Sequence, residues 1–177
     1  LESTSKRLNK TYIISKFLSN VSSEDLKHIV YLLQGRIFPK GDARKIGVSS
    51  RLVLKAINLV TGVSVDKIEN QWAKDGDLGV VVEKYLIKKK QTTLFSKKLT
   101  TIKVFNNLRS LSDIKGFGAV SKKLNLIVEL LSSSTPQESK FIVRIILEKL
   151  RLSVAEGIIR DSLVWTYFPK VVGIFFR

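Results

Sequence analysis

The stretch 115–123 has the residue types best suited to bind an anion, because two glycines separate two predicted helices there. Gly116 and Gly118 allow a tight turn, and the next helix begins with free N–H groups at the positive end of its dipole. The polar residues around this turn are Lys115, Ser121, Lys122 and Lys123. Free amides beside ammonium groups suit a phosphate. A plain helix-to-helix turn with solvated lysines is an equally simple interpretation.

The composition indicates a polyanionic partner. Lysine and arginine number 31 against 15 acidic residues, which gives a formal net charge of +16. An excess of this size is typical of proteins that bind DNA, RNA or an acidic membrane surface. Apolar residues make up 44% of the 177 positions, enough for one domain, or two small ones, with a core of its own.

The residue inventory gives little support to catalysis. There is no cysteine and one histidine, His28, so thiolate nucleophiles and Cys- or His-based metal clusters are excluded. No phosphate-binding P-loop motif is present. Asp75 and Asp77 are the closest pair of predicted exposed carboxylates, and we interpret them as helix caps. A metal-dependent hydrolase that uses them stays an alternative. We predict no catalytic residue, metal site or cofactor in this chain.

Hydrophobic periodicity predicts an all-α fold of about nine helices, arranged as helical hairpins joined by basic turns that contain glycine. The strongest helix start is 135–138, with Thr135 at the N-cap, Pro136 at the first helical position and Glu138 at the third. A similar Ser-x-x-Glu pattern at 153–156 predicts the start of the last helix.

The chain is predicted to divide into two helical halves of similar size, joined by a basic linker near 88–98. Together they form a domain over residues 1–165, followed by an atypical tail at 166–177. The longest apolar run, 171–176, is far too short to span a bilayer. No signal peptide is visible, and we expect an intracellular, DNA-associated monomer without a membrane partner.

Further basic and glycine positions extend the predicted phosphate-binding surface. They are Arg36, Gly76, Gly79, Lys140, Arg144 and Arg151. The last two are predicted to project from the same side of one helix, where they either line the same groove as the glycine turn or form a solvated face. Most aromatic residues fall on inward helix faces, which favours binding of a duplex backbone over stacking on single strands.

Five short motifs, in this order and at this spacing, resemble the N-terminal DNA-binding domain of archaeal and eukaryotic ATP-dependent DNA ligases. They are YLLQGR at 31–36, GDLG at 76–79, QTTLF at 91–95, G-x-G-x-x-S-x-K at 116–123, and FIVR at 141–144 followed by Leu150-Arg151. The resemblance extends over residues 1 to about 165. At the position of Ser153 the family usually has glycine.

The resemblance implies an all-helical domain that grips the minor groove of nicked duplex DNA on both sides of the break, in replication, repair and recombination. The turns at 116–123 and 76–79 would meet phosphates. ATP and Mg²⁺ would belong to a separate nucleotidyltransferase domain that acts in cis with an OB-fold domain, so this chain alone would not be an enzyme. A basic helical scaffold that binds a protein or an acidic membrane surface is the alternative.

Overall fold

The computed structural model describes residues 1–88 and 99–168, and within these ranges it contains nine α-helices and no strand. The helices are α1 (Arg7–Leu18), α2 (Ser23–Leu33), α3 (Ser50–Thr61), α4 (Val65–Asp75), α5 (Leu78–Lys88), α6 (Thr101–Asp113), α7 (Ala119–Ser133), α8 (Pro136–Ile146) and α9 (Glu156–Tyr167). The predicted all-α class and helix number are thereby confirmed. No helix in the described ranges is both long and apolar enough to cross a membrane.

The chain forms two compact units that differ from the predicted halves. Unit 1 combines Leu1–Arg36 with the segment from Arg151 onward, and unit 2 is Ile37–Leu150. Helices on both sides of the predicted linker belong to unit 2, because α3 packs against α7 and α5 packs against α8. Almost all of that linker lies outside the described residues, as does the tail after residue 168.

Unit 1 is a small three-helix unit in which α1 packs against α9. Its buried centre consists of Ile14, Leu18, Ile158 and Ile159. Two hydroxyl groups support the close contact between these helices, since Ser162 Oγ donates to the Thr11 carbonyl and Thr166 Oγ1 donates to the Ser15 carbonyl, both at 3.2 Å. Burial of these aliphatic side chains stabilises the unit by the hydrophobic effect.

In its described residues, unit 2 has six helices, α3 to α8, around a larger aliphatic core. The side chains with almost no exposure include Leu54, Ile57, Ile68, Leu108, Leu111, Ile127, Leu131 and Ile146. They recur at intervals of three or four residues on their helices, which is the pattern that the periodicity predicts. Four of the twelve predicted binding residues lie in turns between these helices, namely Gly76, Lys115, Gly116 and Gly118.

Of the two helix starts predicted from capping patterns, the structure confirms the one at 135–138 and contradicts the one at 153–156. Thr135 Oγ1 accepts from the Glu138 amide at 3.2 Å and Glu138 Oε2 accepts from the Thr135 amide at 2.8 Å, so the predicted capping box is confirmed. The pattern at Ser153 does not cap a helix, since α9 begins at Glu156 with Ala155 at its N-cap. Ser153 instead has φ 50°, in the left-handed region that favours glycine.

Candidate nucleic-acid interface

The glycine turn before α7 lies exposed on unit 2. The Ala119 amide donates to the Gly116 carbonyl at 3.2 Å, which closes a four-residue turn. Gly118 has φ 74° and ψ 4°, the dihedrals of the third position of a type II turn, where an L side chain is strained. Gly118 is also the N-cap of α7 and supplies no capping side chain. The first turn of the helix therefore keeps backbone N–H groups without side-chain acceptors.

The side chains around this turn are mostly exposed. Lys115, Ser121 and Lys122 all lie on the surface, as the anion-binding hypothesis requires. Phe117, at the tip of the turn, is 105% exposed, and Val120 in the first turn of α7 is 65% exposed. Sequence reasoning placed Phe117 in the turn and gave it no role.

Lys123 joins the turn to a second basic segment. Its Nζ donates to the Gly47 carbonyl at 2.9 Å and lies 3.5 Å from the Ile46 carbonyl. The start of α7 is thereby held beside the loop that precedes α3, although the two are 76 residues apart in the chain. Lys123 is half-buried, so it positions the loop in addition to contributing charge.

Arg44 and Lys45 are exposed cations of that loop. The Arg44 guanidinium stacks over the buried Phe38 ring at 4.2 Å, and Arg109 of α6 lies 5.4 Å from the same ring. The side-chain hydrogen bonds of Arg44, followed by the hydrogen bond from its amide, lower the pKa of Asp42 from 3.8 to about 2. Asp42 is therefore ionised near neutral pH and orients Arg44 at the surface.

These contacts define one basic surface on unit 2, which we call the turn–loop surface. It comprises the glycine turn with Lys115 and Lys122, the first turn of α7, and the loop with Arg44 and Lys45. Backbone N–H groups and exposed cations on one surface are suited to contact successive phosphates. The sequence shows the basic character of the loop, but its place beside the glycine turn depends on the long-range Lys123 contact.

The structure places the two glycines of the second predicted anion site, Gly76 and Gly79, in different environments. Gly76 is exposed and ends α4 in a left-handed conformation. Gly79 is buried, and a Cβ there would lie 2.6 Å from the Lys140 carbonyl and 2.9 Å from Arg144 Cγ. Its amide donates to Asp77 Oδ1 at 2.8 Å. The carboxylate of Asp77 thus occupies the helix start where a phosphate was expected, and glycine serves the close approach of α5 to α8.

Arg144 is also interior. Its Nε and Nη2 bind Asp77 Oδ2 at 3.0 and 2.9 Å, with both side chains less than a tenth exposed. Lys140 is half-buried, and its Nζ lies 3.5 Å from a carboxylate oxygen of Glu83. The predicted basic edge is therefore wrong. α8 ends at Ile146, Glu148 adopts φ 56°, and Arg151 lies beyond the helix.

Asp77 should make folding stability depend on acid pH. Burial by itself raises its pKa, but the hydrogen bond and charge of Arg144, with the amides of Val80 and Gly79, outweigh burial and leave the pKa below 3.8. A lowered pKa stabilises the fold fully above the unfolded value and loses this effect as the pH falls through the folded value. We expect the stability difference between wild type and Asp77→Asn to shrink from about pH 5 to about pH 3 in denaturant titrations. A difference that stays constant over this range would contradict the assignment.

The two carboxylates considered for hydrolysis are engaged in structural contacts. Asp75 accepts from Lys84 Nζ at 2.8 and 2.9 Å and from Gln71 Nε2 at 3.0 Å, and the Lys84 hydrogen bond is the main reason that its pKa is lowered. Asp77 is bound by Arg144, as described above. Within residues 1–88 and 99–168, no three or more Asp, Glu, His or Cys side chains cluster in a way that could hold a metal ion.

Two predicted binding residues belong to unit 1. Arg36 is exposed, and its Nη1 lies 3.6 Å from Glu156 Oε1. Arg151 is exposed with φ 58°. Sequence reasoning missed the buried Lys10, whose Nζ donates to the Leu152 carbonyl at 2.6 Å and thereby holds this segment against α1. The predicted DNA-binding roles of Arg36 and Arg151 stay predictions.

Comparison with known proteins gives one consistent result. The family model of the DNA ligase N terminus matches residues 1–164. A DNA ligase of Methanothermobacter thermautotrophicus is 46% identical over 163 residues, which cover 92% of this chain and 29% of that protein. A DNA ligase of Methanobrevibacter smithii is 40% identical over 167 residues, with 94% and 30% covered. A DNA ligase of Archaeoglobus fulgidus is 37% identical over 164 residues, with 92% and 30% covered.

The chain thus spans about 30% of the length of the curated relatives it matches. The matched residues 1–164 contain all five motifs on which the resemblance was based. The resemblance to the N-terminal domain of ATP-dependent DNA ligases is thereby confirmed, and the chain belongs to the DNA ligase N-terminal family.

Proposed function

We propose that this chain binds duplex DNA, preferably nicked, as the DNA-binding domain of an ATP-dependent DNA ligase. Binding is independent of sequence and uses the phosphate backbone and the minor groove. The observation that supports it best is the turn–loop surface, where the uncapped start of α7 lies beside exposed cations. Amides and cations that contact phosphates fix the register of a protein on DNA without reading bases.

The net charge of +16 supports the same conclusion. A protein that neutralises phosphates releases condensed counterions, so its affinity depends steeply on salt. We expect about six phosphate contacts, which correspond to a loss of roughly three decades in affinity between about 50 and 200 mM monovalent salt. Fluorescence anisotropy with a labelled nicked duplex at increasing salt measures this slope.

The same titration is repeated with an intact duplex and with an acidic protein whose negative charge is similar to that of the duplex. The affinities for these two ligands are compared with the affinity for the nicked duplex. We expect the nicked duplex to be retained most tightly and a change of its sequence to have little effect. If neither duplex is retained at low salt, DNA binding is contradicted and the basic scaffold becomes the better interpretation.

The chain alone is proposed to join no strands. ATP and Mg²⁺ would act in a nucleotidyltransferase domain beyond the matched segment, joined in cis in the longer ligase. Incubation of the chain with ATP, Mg²⁺ and nicked duplex should yield no joined product on a denaturing gel. A joined product from protein free of contaminating ligase would contradict this part of the proposal.

A further inference from the structure

Phe117 projects from unit 2 into solvent to an unusual degree. Its side chain is 105% exposed, and glycines with left-handed φ values of 79° and 74° flank it. A Cβ at either glycine would meet no atom within 4 Å, so the whole turn stands clear of its surroundings. A folded protein gains nothing from a large apolar ring in water, which makes a ligand-bound state the natural place for its burial.

The backbone conformation of the turn keeps the Phe117 ring exposed to solvent. Phe117 occupies the second position of the turn, directly before Gly118, and the hydrogen bond from the Ala119 amide to the Gly116 carbonyl closes the backbone beneath it. The following helix is continuous through Ser133. The ring therefore lies directly before the N-terminal end of α7, with Val120 as the next exposed apolar side chain.

The charges around the ring restrict what it can enter. Lys115 and Lys122 are exposed on either side of it in the chain, and the Lys123 contact places the loop of Arg44 and Lys45 on the same surface. An exposed Phe117 ring surrounded by cations is suited to a target whose apolar interior lies between two anionic edges. Stacked base pairs between two phosphate backbones have this form, and minor-groove proteins insert phenylalanine and other apolar wedges into base steps.

We propose that Phe117 inserts between adjacent base pairs from the minor groove and so favours nicked over intact duplex. The inference rests on the DNA binding proposed above and assigns a specificity role to one side chain. A base step is opened more easily where one backbone is interrupted, because unstacking then meets less resistance from the chain. Backbone contacts alone supply no such preference.

The experiment compares the full 177-residue chain with Phe117→Ala on nicked and intact duplexes that carry 2-aminopurine beside the nick position. With wild type we expect the base fluorescence to rise on binding to the nicked duplex, as unstacking requires. Phe117→Ala should abolish this rise and lower the affinity for nicked duplex roughly tenfold, the effect of one lost base–aromatic stack. The salt slope should not change, because no charge is removed.

Leu59→Ala is the matched control, since Leu59 is 60% exposed near the C-terminal end of α3 and should affect neither fluorescence nor affinity. Thermal unfolding of Phe117→Ala should match wild type, because the side chain is fully exposed. If wild type binds no duplex, the proposed function itself fails. If wild type binds DNA but Phe117→Ala keeps the same fluorescence change and the same preference for the nick, the wedge is wrong while DNA binding stands.

Discussion

Replacement of Arg144 by alanine is expected to lower the free energy of unfolding of unit 2 by about 3–5 kcal/mol, because it leaves the buried Asp77 carboxylate without its cation. The whole free energy of unfolding of a single domain is only about 5–15 kcal/mol, so the variant should be marginally folded at room temperature. The loss is large because both side chains are buried in the α5–α8 contact, so the Asp77 carboxylate would keep its desolvation cost after losing the guanidinium.

The measurement can be confined to unit 2. The chain has two tryptophans, Trp72 in unit 2 and Trp165 in unit 1. In a Trp165→Phe background, denaturant titration followed by Trp72 fluorescence reports on unit 2. Arg51→Ala is the control, because Arg51 is exposed on α3 and its removal should change stability by less than about 0.5 kcal/mol.

A double-mutant cycle separates the ion pair from the packing of the arginine stem. Asp77→Ala should also destabilise strongly, since it leaves Arg144 buried without its anion and removes the acceptor of the Gly79 amide. The free energy of unfolding of the double variant should fall by clearly less than the sum of the decreases in the two single variants. Additive losses, or an Arg144→Ala variant as stable as Arg51→Ala, would contradict a coupled buried pair.

The α5–α8 contact also shows why part of the candidate site could not be predicted. Asp77 at the start of α5 is the helix cap that the sequence predicts, but its partner Arg144 is 67 residues away, so nothing local to Gly76–Gly79 indicates a buried ion pair. A usable signal existed on α8, where Arg144 stands among Ile142, Val143, Ile145 and Ile146. A charged residue inside such an apolar run is expected to be buried with a partner of opposite charge.

Features that depend on a few neighbouring residues were predicted correctly. The Thr135 capping box and the all-α class follow from local hydrogen bonding and from a 3.6-residue period, and both are confirmed. The exposed turn at Gly116 and Gly118 likewise follows from its own sequence. The loop that contacts this turn could not be predicted, because the hydrogen bond from Lys123 to Gly47 depends on the packing of α3 against α7.

Reversal of the charge of Lys115 and Lys122 is expected to reduce affinity for duplex DNA by about 1,000-fold at about 0.1 M salt. Each phosphate contact contributes roughly eightfold under these conditions, so loss of the two cations alone costs about 60-fold. Two glutamates at the same places then repel the phosphates that the lysines attracted. The fold should be unaffected, because both side chains are exposed on the turn–loop surface.

Charge reversal of Lys67 and Lys74 on α4 is the matched control, because it changes the net charge by the same amount on exposed positions of the same unit. If affinity depends only on the total charge, both double variants should weaken binding equally. If phosphates are held at the start of α7, the α4 variant should lose far less, and its salt slope should stay close to that of wild type. Equal losses in the two variants would therefore contradict a localised interface even though the chain binds DNA.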